Sequence, residues 1–137
     1  MAKTVADLNL DDEHTTIGVQ DTLQEGARRM LSITGGIVVV LNDKNHVKGV
    51  IGNNQFLKAM SQSVDSSQAT CGDWMEMDFL QVHQTDTLKK VLAEIKKRSP
   101  QAVVAVDEHD EFCGYFSPAD YHEASSLFLS LIHISEP

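Results

Sequence analysis

Apolar and polar positions along this chain predict two β-hairpins. Apolar, β-branched runs at 37–41 and 102–106 are typical of buried strands. Each run is followed by a polar turn and then by a second apolar run, at 47–51 and 112–116. This order of strand, polar turn and strand indicates that each pair of runs forms a hairpin.

Helices are predicted before and after each hairpin. Thr22, with Glu25 three residues later, is typical of a capping box that starts a helix. Apolar residues then recur at helical spacing on one face, and the same spacing precedes the second hairpin. The two faces consist of Leu23, Ala27, Met30 and Leu31, and of Leu88, Val91, Leu92 and Ile95. Short extended segments at 15–19 and 79–82 precede these helices, and further helices follow the hairpins near 54–60 and 118–127.

The predicted elements repeat at a fixed offset. Asp21-Thr22-Leu23 recurs 65 positions later as Asp86-Thr87-Leu88, and Gly49 recurs as Gly114. A unit of about 60 residues is marginally stable alone, and each hairpin needs a cover for its second face. We therefore expect one α+β domain in which two β-α-β-β-α repeats pack sheet to sheet with pseudo-twofold symmetry. The expected boundaries are repeat 1 at 1–62, a polar linker at 63–69 and repeat 2 at 70–128.

Three features resemble a pair of CBS (cystathionine-β-synthase) domains. They are the Asp-Thr-Leu helix start, the hairpin with its acidic turn, and the motif Gly114-Tyr115-Phe116-Ser117-Pro118-Ala119-Asp120. The resemblance spans about residues 4–128. It implies a regulatory module, or Bateman module, that senses an adenosine-containing ligand in a cleft between the repeats. It also implies a homodimer and a further protein partner that responds to the ligand.

The resemblance assigns roles to residues of the second repeat. Asp120 would accept hydrogen bonds from the ribose hydroxyls. Ser117 and the free amides of the helix that it starts would hold phosphate. The apolar residues expected beside the base are Leu80, Val82, Val103 and Phe116.

Two departures from the family pattern change the expected ligand. In the first repeat Gly52 stands in place of the motif hydroxyl and Gln55 in place of the aspartate, so we expect this site to be empty or altered. In nucleotide-binding members a cation often precedes the first hairpin strand, whereas here Gln101 and Ala102 occupy that place. AMP, adenosine or S-adenosylmethionine is therefore expected rather than ATP.

The same residues allow other interpretations. Ser117, Pro118 and Asp120 also suit the N-cap, first and third positions of an ordinary helix start that needs no ligand. A pair with one degenerate motif could serve only to dimerise or to scaffold. The chain could also be a truncated regulatory part of a larger enzyme or transporter.

The net charge of the chain limits the classes of partner that it can bind. Lys and Arg number 11 against 20 Asp and Glu, so the net charge is −9. We therefore expect no binding to nucleic acid, which requires a basic surface, and none to anionic membranes.

The N-terminus lacks the apolar stretch of a secretory signal, and two cysteines form no disulfide framework. These features favour the cytoplasm.

We expect neither catalysis nor a metal site. The acidic turn at 107–111 lacks the length and the glycine bend of a calcium loop. The six histidines do not form an HxxxH pair, which argues against zinc. No nucleophile, base and oxyanion hole can be recognised together, so we expect neither an enzyme nor a tightly bound cofactor.

The last nine residues, Leu129-Ser130-Leu131-Ile132-His133-Ile134-Ser135-Glu136-Pro137, resemble a translated sequencing adapter. We therefore expect 129–137 to be a non-native tail that contributes neither to the fold nor to the function. Without Glu136 the net charge changes from −9 to −8.

Overall fold

The computed structural model describes residues 4–8, 10, 14–33, 36–117 and 121. After a short 3₁₀ helix at Val5–Asp7, strands and helices alternate in the predicted order. The first repeat contains β1 (His14–Gly18), α1 (Leu23–Met30), β2 (Ile37–Leu41), β3 (Val47–Ile51) and α2 (Asn53–Ser61). The second contains α3 (Cys71–Trp74), β4 (Phe79–His83), α4 (Leu88–Arg98), β5 (Ala102–Val106) and β6 (Phe112–Phe116).

Each repeat forms a three-stranded sheet of the same topology. In the first sheet β1 pairs parallel to β2, and β2 pairs antiparallel to β3. In the second sheet β4, β5 and β6 are paired in the same way. The register shifts between Val40 and Leu41 and, at the equivalent place, between Ala105 and Val106. The repeat predicted from the sequence is thereby confirmed, although most of its closing helix near 118–127 lies outside the described residues.

The two sheets pack face to face. Their central strands are buried on both sides, which explains why β2 and β5 are continuous apolar runs. Val39 and Val104 lie in the layer between the sheets, while Val38 and Val103 point to the opposite faces. The inner layer consists of Val39, Val47, Val50, Ala102, Val104, Val106 and Tyr115. One α+β domain with its sheets in contact is therefore confirmed.

Helix α1 differs from the prediction at both ends. The Thr22 hydroxyl accepts a hydrogen bond from the Glu25 amide at 3.1 Å, which is half of the expected capping box. The Glu25 carboxylate instead pairs with Arg28 at 2.6 Å and Arg29 at 3.1 Å. The helix ends at Met30, so Leu31 lies beyond the amphipathic face and is 86% exposed rather than buried.

In the described part of the chain, no helix combines the length and apolarity that a membrane span needs.

The segments that lead into the repeats are exchanged. The Val5 and Ala6 amides, which precede the first repeat, donate to the Asp86 and Gln84 carbonyls of the second, both at 3.0 Å. The segment before the second repeat packs in the same way on the first: the Cys71 amide donates to the Asp21 carbonyl at 2.8 Å. Each repeat is thus completed by backbone from the other, which makes the two repeats one structural unit.

Two equivalent glycines allow this exchange. A Cβ built on Gly49 would lie 2.6 Å from the Met75 side chain, and one on Gly114 would lie 2.6 Å from the Leu10 Cβ. Leu10 and Met75 both belong to the exchanged segments, and the Tyr115 amide donates to the Leu10 carbonyl at 3.1 Å. The glycine common to both repeats is therefore required by close packing against the opposite lead-in segment.

Candidate functional site

Ser117 lies where β6 ends and a helix starts. It is 1% exposed, and among the described residues it is the only buried polar side chain. Its carbonyl accepts a hydrogen bond from the Tyr121 amide at 3.0 Å, the spacing of a first helical turn. Asp120, the other polar member of the predicted site, lies outside the described residues. The bond joins the end of β6 to Tyr121, and residues 118–120 between them also lie outside the described residues.

The four apolar residues predicted to flank a base lie in the hydrophobic core. Leu80, Val82, Val103 and Phe116 belong to one cluster together with residues of the first lead-in segment. None of them is more than 6% exposed. Tyr121 covers this cluster, with its ring centroid 5.3 Å from that of Phe116. In this arrangement their side chains offer a ligand almost no surface, so they support the fold beneath Ser117.

Gln101 and Ala102, at the start of β5, differ in their surroundings. Ala102 is buried in the layer between the sheets. Gln101 is exposed, its amide donates to the Asp78 carbonyl at 3.0 Å, and it lies beside Gly52 and Gln55 of the first repeat. Gln101 thus lines the first-repeat cleft, and the antiparallel register of β5 and β6, in which Val103 is opposite Phe116, also keeps it near Ser117.

A cleft between the repeats surrounds the first-repeat motif. It has a volume of about 180 Å³. The Gln55 side-chain carbonyl accepts a hydrogen bond from the Gly52 amide at 2.8 Å. The residue in place of the motif aspartate thus caps its own helix. The lining residues are Ile37, Val50, Gly52, Asn53, Asn54, Gln55, Glu76 and Gln101.

The chemistry of this first cleft does not suit a phosphate. Four lining side chains are carboxamides, one is the Glu76 carboxylate, and no lining side chain is a cation. The Glu76 carboxylate accepts hydrogen bonds from the Met77 and Asp78 amides at 2.9 and 3.1 Å, which hold it at the mouth of the cleft. The volume is also below the roughly 300–1,000 Å³ of ordinary small-molecule sites.

A larger groove lies away from both motifs, at the turn edge of the first sheet. It has a volume of about 600 Å³ and includes Asp21, Asp43 and Lys48. Asp21 is already engaged, because its carboxylate accepts a hydrogen bond from the Gly18 amide at 2.9 Å. Of these residues only Asp21 belongs to a motif, the Asp-Thr-Leu helix start, and there its carboxylate serves the turn before α1.

The described residues contain no activated thiol. Burial, followed by the Asp21 charge, raises the pKa of the Cys71 thiol to about 11. Burial and then Asp107 also raise the pKa of Cys113. A thiol with a raised pKa stays protonated at neutral pH and is a poor nucleophile. Within these residues there is also no group of His, Cys, Asp and Glu side chains placed to hold a metal ion.

Comparison with known proteins identifies the architecture. Residues 71–126 match the family model of the CBS domain. The fold is similar to that of AcuB from Vibrio cholerae, a candidate acetoin utilization protein, with a TM-score of 0.78, 19% identity and 100% of both chains covered. It is also similar to a CBS domain pair/ACT domain protein from Thermotoga maritima, with a TM-score of 0.73, 20% identity, and 92% of this chain and 98% of that chain covered. A search of curated proteins finds no match.

Proposed function

Because residues 71–126 are a CBS domain and the whole chain has the fold of a CBS domain pair, we propose that it is a regulatory module that senses an adenosine-containing ligand. The proposed site is the second-repeat motif, where Asp120 would hold ribose. The observation that supports this choice is the buried Ser117 directly after β6, whose carbonyl accepts a hydrogen bond from the Tyr121 amide. A buried hydroxyl suits a hydroxyl-rich ligand such as ribose.

Charge favours a ligand with few phosphates. The chain carries −9, and the position before β5 is Gln101 rather than a cation. Each additional phosphate on the ligand would be repelled by the negatively charged chain and would find no cation at this position to pair with. We therefore favour AMP, adenosine or S-adenosylmethionine over ATP. Because CBS domain pairs are generally regulatory, we propose that the chain binds and does not catalyse. Cys71 and Cys113 are both free, which suits the reducing cytoplasm that we propose as its compartment.

We expect an adenosine compound to raise the melting temperature of the full chain by several degrees. A ligand present at 100 times its dissociation constant adds about 2.7 kcal/mol to the free energy of unfolding. Thermal unfolding is measured with adenosine, AMP, ADP, ATP, S-adenosylmethionine and, as a control, GMP. Asp120→Asn should abolish the ligand-induced shift, measured from the variant's own melting temperature.

The matched control is Gln55→Asn, at the equivalent position of the first repeat, which should keep the full shift. If no adenosine compound at millimolar concentration shifts the melting temperature, Ser117 and Asp120 only start a helix and the sensor proposal fails. An equal shift in Asp120→Asn would place the ligand elsewhere.

We also propose that the chain forms a homodimer through α2. Leu57 and Met60 are 61% and 73% exposed, and their spacing places them on one face of this helix. Two large apolar side chains on a solvent-facing helix surface favour contact with another apolar surface. A second copy with the same face would cover both at once, as a two-fold contact does.

The dimer has a direct test. The full chain should have about twice its 15.1 kDa mass in light scattering, and Leu57→Glu with Met60→Glu should restore the monomer mass. Met77→Glu serves as the control, because Met77 is 69% exposed but lies outside α2. A wild-type monomer, or a dimer that persists in the α2 variant, contradicts this interface.

A further inference from the structure

Helix α4 has the opposite charge to the rest of the molecule. Its 11 residues include four lysines and Arg98, that is, five of the 11 basic residues of the chain. With Glu94 as its single acidic residue, α4 carries +4, so a total of −9 leaves −13 for the remainder. The four lysines, Lys89, Lys90, Lys96 and Lys97, are all exposed, and we call them the lysine face.

The lysine face has a regular geometry. Its four members stand three or four positions from Ala93 in both directions, so they surround it on the helix surface. Ala93 is itself exposed, and its short side chain leaves a flat centre. Leu88 and Val91 are buried on the opposite side and hold α4 against the second sheet. The lysines therefore point away from the core on a fixed support.

Few of the lysines on the lysine face form ion pairs with acidic side chains of the same chain. Lys90 approaches the Asp86 carboxylate at 3.5 Å. In the described part of the chain, Lys89, Lys96 and Lys97 have no acidic side chain within ion-pair distance. Lys96 and Lys97 lie in the last turn, where a positive charge complements the helix dipole, whereas Lys89 and Lys90 lie in the first turn, where it does not.

We propose that the lysine face docks an acidic segment of a partner protein. The face spans nine helical residues, about 13 Å, which matches a short helix or loop rich in Asp and Glu. A membrane plane or a nucleic acid duplex would extend beyond it toward the remaining −13. At physiological salt, charges act over about 8 Å, so such extended polyanions would meet repulsion at the borders of the face. A compact acidic segment avoids those borders. This surface is independent of the proposed ligand.

Fluorescence anisotropy with a labelled 12-residue peptide of alternating Glu and Ala tests the proposal at 0.15 M salt. In the full chain, Lys89→Gln, Lys96→Gln and Lys97→Gln together should weaken binding about tenfold, because each exposed ion pair contributes a factor of roughly 1.5–5. Binding should also weaken as salt rises. Glutamine suits a helix interior, so α4 should be retained, and circular dichroism checks this.

The matched control replaces Lys44, Lys48 and Lys58, three exposed lysines of the first repeat, by glutamine. Both variants have the same net charge, so a difference in binding between them depends on the position of the lysines. The control keeps the lysine face and should bind the peptide like wild type. Equal weakening in the two variants, or no peptide binding by wild type, overturns the proposal. A 12-base-pair duplex or phosphatidylserine vesicles that bind the same lysines more tightly than the peptide also overturn it, in favour of a nucleic acid or a membrane.

Discussion

Replacing Gly114 by alanine is expected to lower the free energy of unfolding by about 2 kcal/mol and the melting temperature by roughly 5–10 °C. The added Cβ would lie 2.6 Å from the Leu10 Cβ and 3.2 Å from its backbone carbonyl oxygen. Since part of this obstacle is backbone, a change of rotamer cannot relieve it. The lead-in segment must move, and with it the hydrogen bond from the Tyr115 amide to the Leu10 carbonyl.

The substitution should destabilise the first lead-in segment before it unfolds the whole domain. Val5, Leu8 and Leu10 are buried against the second repeat and lose that cover if the lead-in segment is displaced. Hydrogen exchange should therefore show faster exchange at the Val5, Ala6 and Tyr115 amides, which donate the bonds that fasten this segment. Denaturant unfolding gives the free energy alongside.

Gly52→Ser is the control for this substitution. A Cβ at Gly52 meets nothing closer than 3.7 Å, and its backbone is extended at φ −121°. Serine is also a favoured N-cap residue. It should leave the free energy of unfolding within about 0.5 kcal/mol of wild type, the usual limit for a harmless surface change. If Gly114→Ala is equally harmless, the close approach does not constrain the fold.

The hairpins and the sheet packing could be predicted because they depend on local pattern. The valine runs of β2 and β5 and the polar turns after them identify strands that are buried on both faces. Leu31 shows where prediction from the local pattern fails. Helical spacing continues one position beyond the last residue of α1, and only the structure shows that the helix ends at Met30.

The candidate site was harder to predict because it depends on contacts between distant parts of the chain. The exchange of lead-in segments rests on backbone hydrogen bonds such as that from Val5 to Asp86, which leave no mark in side-chain pattern. Gln101 is a second example, because it belongs to the second repeat and yet lines the first-repeat cleft. The shared glycines Gly49 and Gly114 were visible as a repeat, but their role becomes clear only from Met75 and Leu10.

Restoring the motif in the first repeat should create a second binding site. In the double variant Gly52→Ser with Gln55→Asp, the serine supplies the missing hydroxyl and the aspartate the missing carboxylate. Both fit the existing geometry: Gly52 has an extended backbone and an open Cβ direction. An aspartate three residues after an N-cap can also keep the helix cap, as Asp7 does when its carboxylate accepts from the Thr4 amide at 2.8 Å.

Adenosine is the appropriate ligand for this experiment, because Glu76 at the first cleft would repel a phosphate. Titration calorimetry should show about one adenosine per chain for wild type and about two for the double variant. The cleft of about 180 Å³ must widen to admit a nucleoside, so we expect weaker binding at the new site than at the second repeat.

Gly52→Ser alone is the matched control, since it adds the hydroxyl without the carboxylate that holds ribose. It should keep a stoichiometry of one. If wild type binds no adenosine but the double variant binds one, the proposed function of the natural chain fails while the role of the motif stands. If the double variant binds no more than wild type, a serine and an aspartate at these positions are not sufficient, and the amide-lined first cleft itself excludes the nucleoside.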